Sequence, residues 1–311
     1  MTILITGGSG MLGGALKKNL QNKGYAVAAV SSKDYDLRDQ SAVRNMFIDI
    51  QPDTVFHCAA LVGGIWANAT MKGKFFYENI MMNTIVFEEA RLSKVYRFIA
   101  MGSGCMYPAR PIVPTPEYTL WDGRPEETNA PYAHAKRMLV AQSDAYREQY
   151  GFSSAIAVPT NLYGPGDNFH PMDSHLIPAL VRKFVEAKQS GSNVTIWGTG
   201  NITRDFLHVD DVAEALVGIA DNDGIQGPIN IGSGIETSLA EITRHLSEIT
   251  GFTGTIVFDA SKPDGEPRKC LDNTKLRDLV GFIPKISLRD GLEQTTRWFI
   301  ENQNDFRSEE R

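Results

Sequence analysis

The chain of 311 residues is 42% hydrophobic and 22% charged, ordinary proportions for a globular protein with room for a sizeable core. A net charge of -6 excludes a broadly basic nucleic-acid surface and leaves space for a local basic pocket for a phosphorylated ligand. Three cysteines without C-x-x-C spacing argue against a disulfide framework or a structural zinc site, and no apolar run reaches bilayer length, so the expectation is a cytoplasmic protein with no metal, nucleic-acid or membrane partner.

Residues 2–6 form an apolar run of strand length, followed at once by Gly7-Gly8-Ser9-Gly10-Met11-Leu12-Gly13 and then by a helical pattern with Leu12, Ala15, Leu16 and Leu20 on one face. Strand, glycine loop and helix in that order suit a dinucleotide: the glycines permit a tight turn, and amides at the helix N-terminus can meet a pyrophosphate. Gly7, Gly10, Met11, Leu12 and Gly13 are therefore candidate cofactor contacts. A second strand over 26–30 ends in Ser31-Ser32-Lys33-Asp34, where NAD-binding folds usually place an acidic residue for the ribose 2′-hydroxyl. Serines and a lysine favour a 2′-phosphate and hence NADPH, with Asp34 pulling the other way. Ser32 and Lys33 are expected at that phosphate, with Asp36 and Leu37 beside the adenine.

A helix over 40–50 precedes a strand over 54–58, after which Ala59, Ala60 and Val62 belong to a run of small residues suited to close passage past a cofactor. A long helix over 75–92 and a strand over 98–100 lead to Met101-Gly102-Ser103-Gly104-Cys105. The helix read over 133–150 carries Lys136, four positions after Tyr132, so both side chains share a face. A phenol is a poor acid near neutrality, but an adjacent ammonium lowers its pKa; Tyr132 would then serve as general acid or base, with the Ser103 hydroxyl holding a substrate carbonyl toward it. A fifth strand over 154–158 runs into Pro159-Thr160-Asn161-Leu162. This alternation predicts an α/β fold with a Rossmann-type doubly wound parallel sheet, and Gly7, Ala59, Ser103 and Pro159 all fall at the carboxyl ends of its strands, where such sheets bind ligands.

Beyond residue 164 the alternation lapses. Helical patterns over 174–190, 209–221, 239–250 and 288–301, with short strands over 194–197 and 255–258, predict a smaller α/β substrate domain over 165–311, some of whose segments can return to the dinucleotide domain over 1–164. Arg204, Arg268 and Lys269 are candidate diphosphate partners there.

By this point the residues resemble the extended short-chain dehydrogenase/reductases, and within them the epimerase-reductases of GDP-4-keto-6-deoxymannose. The resemblance covers nearly the whole chain. Its specific parts include Gly102-Ser103-Gly104-Cys105-Met106-Tyr107-Pro108, Pro131-Tyr132 with Lys136, Asp167-Asn168-Phe169-His170-Pro171 with Ser174-His175, and Arg204-Asp205-Phe206-Leu207-His208. It implies a reduction triad of Ser103, Tyr132 and Lys136, and a proton-carrying pair, Cys105 and His175, for epimerisation. It also implies a GDP-sugar bound by Asn161, His175, Lys183, Trp197, Arg204 and Lys269, and adds Lys136, Pro159, Asn161, Leu162 and His175 to the contacts of NADPH/NADP. The implied reaction is NADPH-dependent 3,5-epimerisation and 4-reduction, performed by a homodimer joined through the helices over 75–92 and 133–150. A related GDP-4-keto sugar of 3-deoxy or heptose type, and a non-catalytic NADP(H)-binding protein, are the alternatives.

The chemistry accounts for the same residue types. A 4-keto group acidifies the hydrogens at C3 and C5, so inversion needs one group to remove a proton and another to return it from the opposite face; a Cys105 thiolate and a His175 imidazolium suit these tasks. Three departures from the family pattern stand out. Gly8-Ser9 replaces a His-Arg pair, which leaves the 2′-phosphate preference resting on Lys33; Gly104 replaces a second serine; and Lys183 replaces an arginine that would grip phosphate as a fork.

Overall fold

The computed structural model describes residues 1–308 apart from 172 and 263. In chain order its elements are β1 (Thr2–Thr6), α1 (Met11–Asn22), β2 (Ala26–Val30), α2 (Gln40–Ile50), β3 (Thr54–His57), α3 (Ile65–Thr70), α4 (Lys72–Leu92), β4 (Arg97–Met101), α5 (Ala130–Tyr150), β5 (Ser154–Pro159) and β6 (Asn161–Tyr163). There follow α6 (Leu176–Ser190), β7 (Val194–Trp197), β8 (Thr203–His208), α7 (Val209–Ala220), β9 (Gly227–Ile231), β10 (Glu236–Ser238), α8 (Leu239–Thr250), β11 (Ile256–Asp259), β12 (Arg268–Lys269), α9 (Thr274–Val280) and α10 (Leu288–Ser308).

Six parallel strands form the central sheet in the order β2-β1-β3-β4-β5-β9. Strands covered by helices on both faces lose the alternation of a half-exposed strand, and β3 and β4 are buried at every position, polar Thr54, His57 and Arg97 included. One face packs on α2, α4 and α5 through Val43, Phe47, Val86, Phe87, Leu139 and Val140. The other packs on α1, α7 and α9 through Leu16, Leu20, Val212, Leu216, Ile219 and Leu276. The doubly wound parallel α/β sheet expected from the sequence is thus observed.

A third core joins α6, α8 and α10 to β7 and β8 through Phe184, Ile196, Leu246 and Leu292. Around it β8 pairs with β6, β10 and β12, and β7 pairs with β11. The chain does not leave the large sheet for good at β5. After β6, α6, β7 and β8, helix α7 packs on α1 and β9 adds the sixth parallel strand beside β5. Helix α5 begins at Ala130, three residues earlier than the sequence pattern gave, with a proline in its first turn, so Tyr132 sits in that turn.

Candidate active site

The glycine loop closes on itself as a dinucleotide turn requires. Gly7 adopts φ +70°, and a Cβ there would stand 2.8 Å from the Ala59 backbone. At Gly13 a Cβ would come within 2.2 Å of the Gly7 carbonyl oxygen, so only glycine lets α1 start this close to the strand. Gly10 is the N-cap of α1, no side chain caps it, and no acidic residue occupies the first turn. Amides without a side-chain acceptor at the positive end of a helix fit a pyrophosphate at Met11, Leu12 and Gly13.

At the end of β2, Asp34 turns back on Ser31, accepting from its amide and its hydroxyl at 2.8 Å each. Those bonds hold its carboxyl below the usual carboxylate range and engage one of its oxygens locally, while Ser32 and Lys33 stay exposed. Asp36 is forked to Arg38 at 2.9 Å, and Arg38 also reaches Glu78 at 3.3 Å, a link the sequence reading missed. The Leu37 side chain is in the core, so only its backbone is open to an adenine.

Beyond β3, the backbone of Leu61 is held from both sides by Asn79 of α4, at 3.0 Å each way, which fixes the course of Ala59, Ala60 and Val62. Gly63 and Gly64, which follow this run, lie against Asp173. The Gly64 amide donates to the Asp173 side chain at 2.8 Å and to its carbonyl at 3.2 Å, and a Cβ on Gly63 would meet that carboxylate at 2.9 Å. The small residues admit the segment that carries His175.

A buried polar relay crosses the same region. The Ala59 amide donates to Thr6 Oγ1 at 3.3 Å, Thr6 Oγ1 lies 2.8 Å from His57 Nδ1, His57 Nε2 lies 3.0 Å from Asn83 Oδ1, and Asn83 Nδ2 donates to the Ala135 carbonyl at 3.4 Å. An amide oxygen at Nε2 calls for the proton on that nitrogen, so Nδ1 accepts from the threonine hydroxyl. Burial, with the Lys136 charge adding to it, lowers the His57 pKa to about 3 and keeps the ring neutral.

Ser103 follows β4. Its hydroxyl accepts from the Cys105 amide at 3.2 Å and opens the short 3-10 turn Gly104–Met106 that presents Cys105. The Cys105 sulfur receives Asn129 Nδ2 at 3.5 Å. Tyr132 is not acidified as the sequence reading expected. The Lys136 ammonium donates to the Met101 carbonyl at 2.8 Å and lies 6.0 Å from the tyrosine ring centroid. Burial pushes the Tyr132 pKa up, a Cys105 thiolate would push it further, and only the Ser103 hydroxyl opposes this. Tyr132 therefore holds its proton at neutral pH, the state from which it can give one away. Burial lowers Lys136 to about 8, with Cys58 opposing.

His175 is the N-cap residue of α6, yet its side chain makes no capping bond. The residue is exposed, but enough protein surrounds its ring for desolvation to hold its pKa below the ordinary value against the pull of Asp173. Burial thus favours the neutral imidazole, and Asp173 favours the imidazolium.

Asn161 donates to the Asp205 carbonyl at 2.8 Å, beside the end of β5 at Pro159 and the half-buried Leu162. Lys183 reaches the Thr195 carbonyl at 3.2 Å, which ties it to β7, two residues before Trp197; that indole is 65% exposed, with the Lys262 ammonium 5.8 Å from its ring. Arg204 is held by the carbonyls of Thr203 at 2.8 Å and Glu266 at 2.7 Å. Arg268, by contrast, is an exposed fork on Glu236, with Nε at 2.9 Å. A cavity is lined by Gly104, Cys105, Glu126, Asn129, Glu266 and Lys269, and a Cβ on Gly104 would stand 3.3 Å from the Pro159 carbonyl oxygen and 3.8 Å from Lys269 Cε. The departure from serine at position 104 thus falls where β4, β5 and β12 converge. The sequence reading singled out neither carboxylate of this cavity.

The chain is 40% identical over 98% of its length to GDP-L-fucose synthase of Escherichia coli (strain K12), covering 98% of that protein. It is 42% identical over 96% of its length to GDP-L-fucose synthase 1 of Arabidopsis thaliana, covering 93%. Among solved structures it is similar to a GDP-L-fucose synthetase from Naegleria fowleri bound to NADP, with a TM-score of 0.91 at 32% identity, covering 97% of this chain and 93% of that one. The family model for the NAD dependent epimerase/dehydratase family matches residues 3–232, and with near full-length relatives above 30% identity the chain belongs to that family.

Proposed function

We propose that the protein is a GDP-L-fucose synthase: with NADPH, it epimerises GDP-4-keto-6-deoxy-D-mannose at C3 and C5 and reduces it at C4. The observation that carries the reading is the presence of a thiol, Cys105, on the same short turn as Ser103 and against the Tyr132 helix, within a chain 40% identical to a protein of that name. A plain reductase has no use for the thiol.

Cys105 and His175 exchange protons with the sugar. One removes the hydrogen next to the 4-keto group, and the other returns a proton from the opposite face. Tyr132 then gives its proton to the oxygen at C4, and Ser103 holds that oxygen by a hydrogen bond as charge develops on it. Lys136 and the backbone at Pro159 lie on the cofactor side, with the pyrophosphate at Gly10 to Gly13 and the 2′-phosphate at Ser32 and Lys33. NADPH, when bound, supplies hydride to C4. The GDP portion runs toward Lys183, Trp197 and Arg204. The enzyme works in the cytoplasm as a homodimer formed by α4 and α5.

The test is turnover in heavy water with the product examined by NMR. Wild type is expected to yield L-fucose deuterated at C3 and C5. Cys105→Ser should lose the deuterium at one or both carbons, while Tyr132→Phe should keep exchange into the substrate and lose NADPH oxidation by about 100-fold or more. Absence of NADPH oxidation by the wild type with this sugar would sink the assignment.

A further inference from the structure

The cavity beside Cys105 holds two carboxylates and one ammonium, and the three are not equivalent. Glu126 is spent within the protein: its oxygens accept from the Thr128 amide at 3.1 and 3.0 Å and from the Thr128 hydroxyl. Lys269 comes from β12, where it pairs in register with Arg204 of β8. Glu266 stands two residues before that strand. Its backbone carbonyl fixes the Arg204 guanidinium at 2.7 Å, so the turn is anchored. Its carboxylate is half-buried on the cavity wall and, among the described residues, has no hydrogen bond and no ion pair. The charges of Lys269 and Arg204 both favour its ionised form, and burial still outweighs them and raises its pKa.

A carboxylate without a protein donor, its oxygens still accessible, is open to hydrogen bonds from a ligand in the cavity. That ligand group is not a diphosphate, which has no donor to offer and which two acidic groups in one small cavity repel, Lys269 being already shared between them. A neutral group rich in O–H donors fits: the carboxylate accepts from hydroxyls, and the ammonium donates to a hydroxyl oxygen. Cys105, the group proposed to work on the sugar ring, lines the same cavity.

We propose that Glu266, assisted by Lys269, is a specificity-determining residue that accepts hydrogen bonds from sugar-ring hydroxyls beside the carbon Cys105 serves, and so favours fully hydroxylated 4-keto sugars over 3-deoxy ones. This rests on the GDP-4-keto-sugar reading and moves Lys269 from the diphosphate to the sugar. The diphosphate is left to Arg204 and Lys183.

The experiment is a comparison of wild type and Glu266→Gln, with Glu266→Ala as a second variant, on GDP-4-keto-6-deoxy-D-mannose and on its 3-deoxy counterpart at saturating NADPH. Loss of a hydrogen bond to a charged acceptor should raise KM for the hydroxylated sugar by about tenfold to a hundredfold. KM for the 3-deoxy sugar should move less than about threefold, so the preference collapses. Binding of GDP alone, measured by calorimetry, should be unchanged. An equal rise in KM for both sugars, no change for either, or tighter GDP binding by the variants would overturn the proposal. Wild-type inactivity on both sugars would overturn the functional reading and this one with it.

Discussion

Lys136 loses its proton earlier than a surface lysine would, because burial lowers its pKa to about 8. Below that value the ammonium is charged and bonded to the Met101 carbonyl; above it the charge is gone from the site. Since kcat/KM reports ionisations of the free enzyme, its pH profile should fall on the alkaline side with an apparent pKa near 8. A profile flat to pH 10 would mean that the charge on Lys136 is dispensable. The same environment acts on Tyr132 in the opposite direction to the sequence argument. Spacing along a helix establishes that two side chains share a face, but not which acceptor the ammonium chooses, and the carbonyl of Met101 was invisible to that argument. Ser103, Cys105 and His175 were legible because the sequence around each is distinctive. Glu266 was not, since one glutamate near a proline and a lysine looks like any solvated turn until β12 brings it to the thiol.

Among the elements, β1 to β5 could be read directly because each centres on a run of apolar residues, even the edge strand β2, which is only partly buried. The sixth, β9, could not. Gly227-Pro228-Ile229-Asn230-Ile231 contains a proline and a polar residue, and Asn230 is fully buried for a reason local sequence does not reveal: its amide donates to the Thr115 and Asp272 carbonyls at 2.9 Å each, and Tyr107 donates to its oxygen at 2.5 Å. The relay of Thr6, His57 and Asn83 was hidden in the same way, since it joins β1, β3 and α4 across separations of 51 and 26 residues. Through Ala135 it reaches α5, the helix that bears Tyr132 and Lys136. His57→Leu takes the acceptor from the buried Thr6 hydroxyl and the donor from the buried Asn83 amide oxygen, and should cost about 2 kcal/mol or more in a denaturant melt, with weaker NADPH binding. Adding Asn83→Leu should return part of that loss, because an apolar pair is cheaper than a single orphan. If the double variant is as unstable as the sum of the singles, the relay is not a unit.

For the whole molecule, the outer faces of α4 and α5 expose Phe76, Tyr77, Met138 and Tyr150. Apolar side chains grouped on two neighbouring helices are a plausible cause of self-association, and they motivate the proposed homodimer. Light scattering should give twice the mass of one chain, and Met138→Glu should halve it; a monomeric wild type would remove the dimer from the account.

The return of the chain to the large sheet has its own consequence. Because β9 lies beside β5, and α7 covers α1, the part of the second lobe that holds α6, β7 and β8 is inserted between two strands of the parallel sheet, while α8 follows the last of them. A polypeptide ending near residue 164 would leave β5 as a bare edge with its amides and carbonyls unpaired and would uncover the apolar surface of α1. Such a fragment should stick to copies of itself instead of folding as a free-standing nucleotide binder, which makes the two lobes heritable only together.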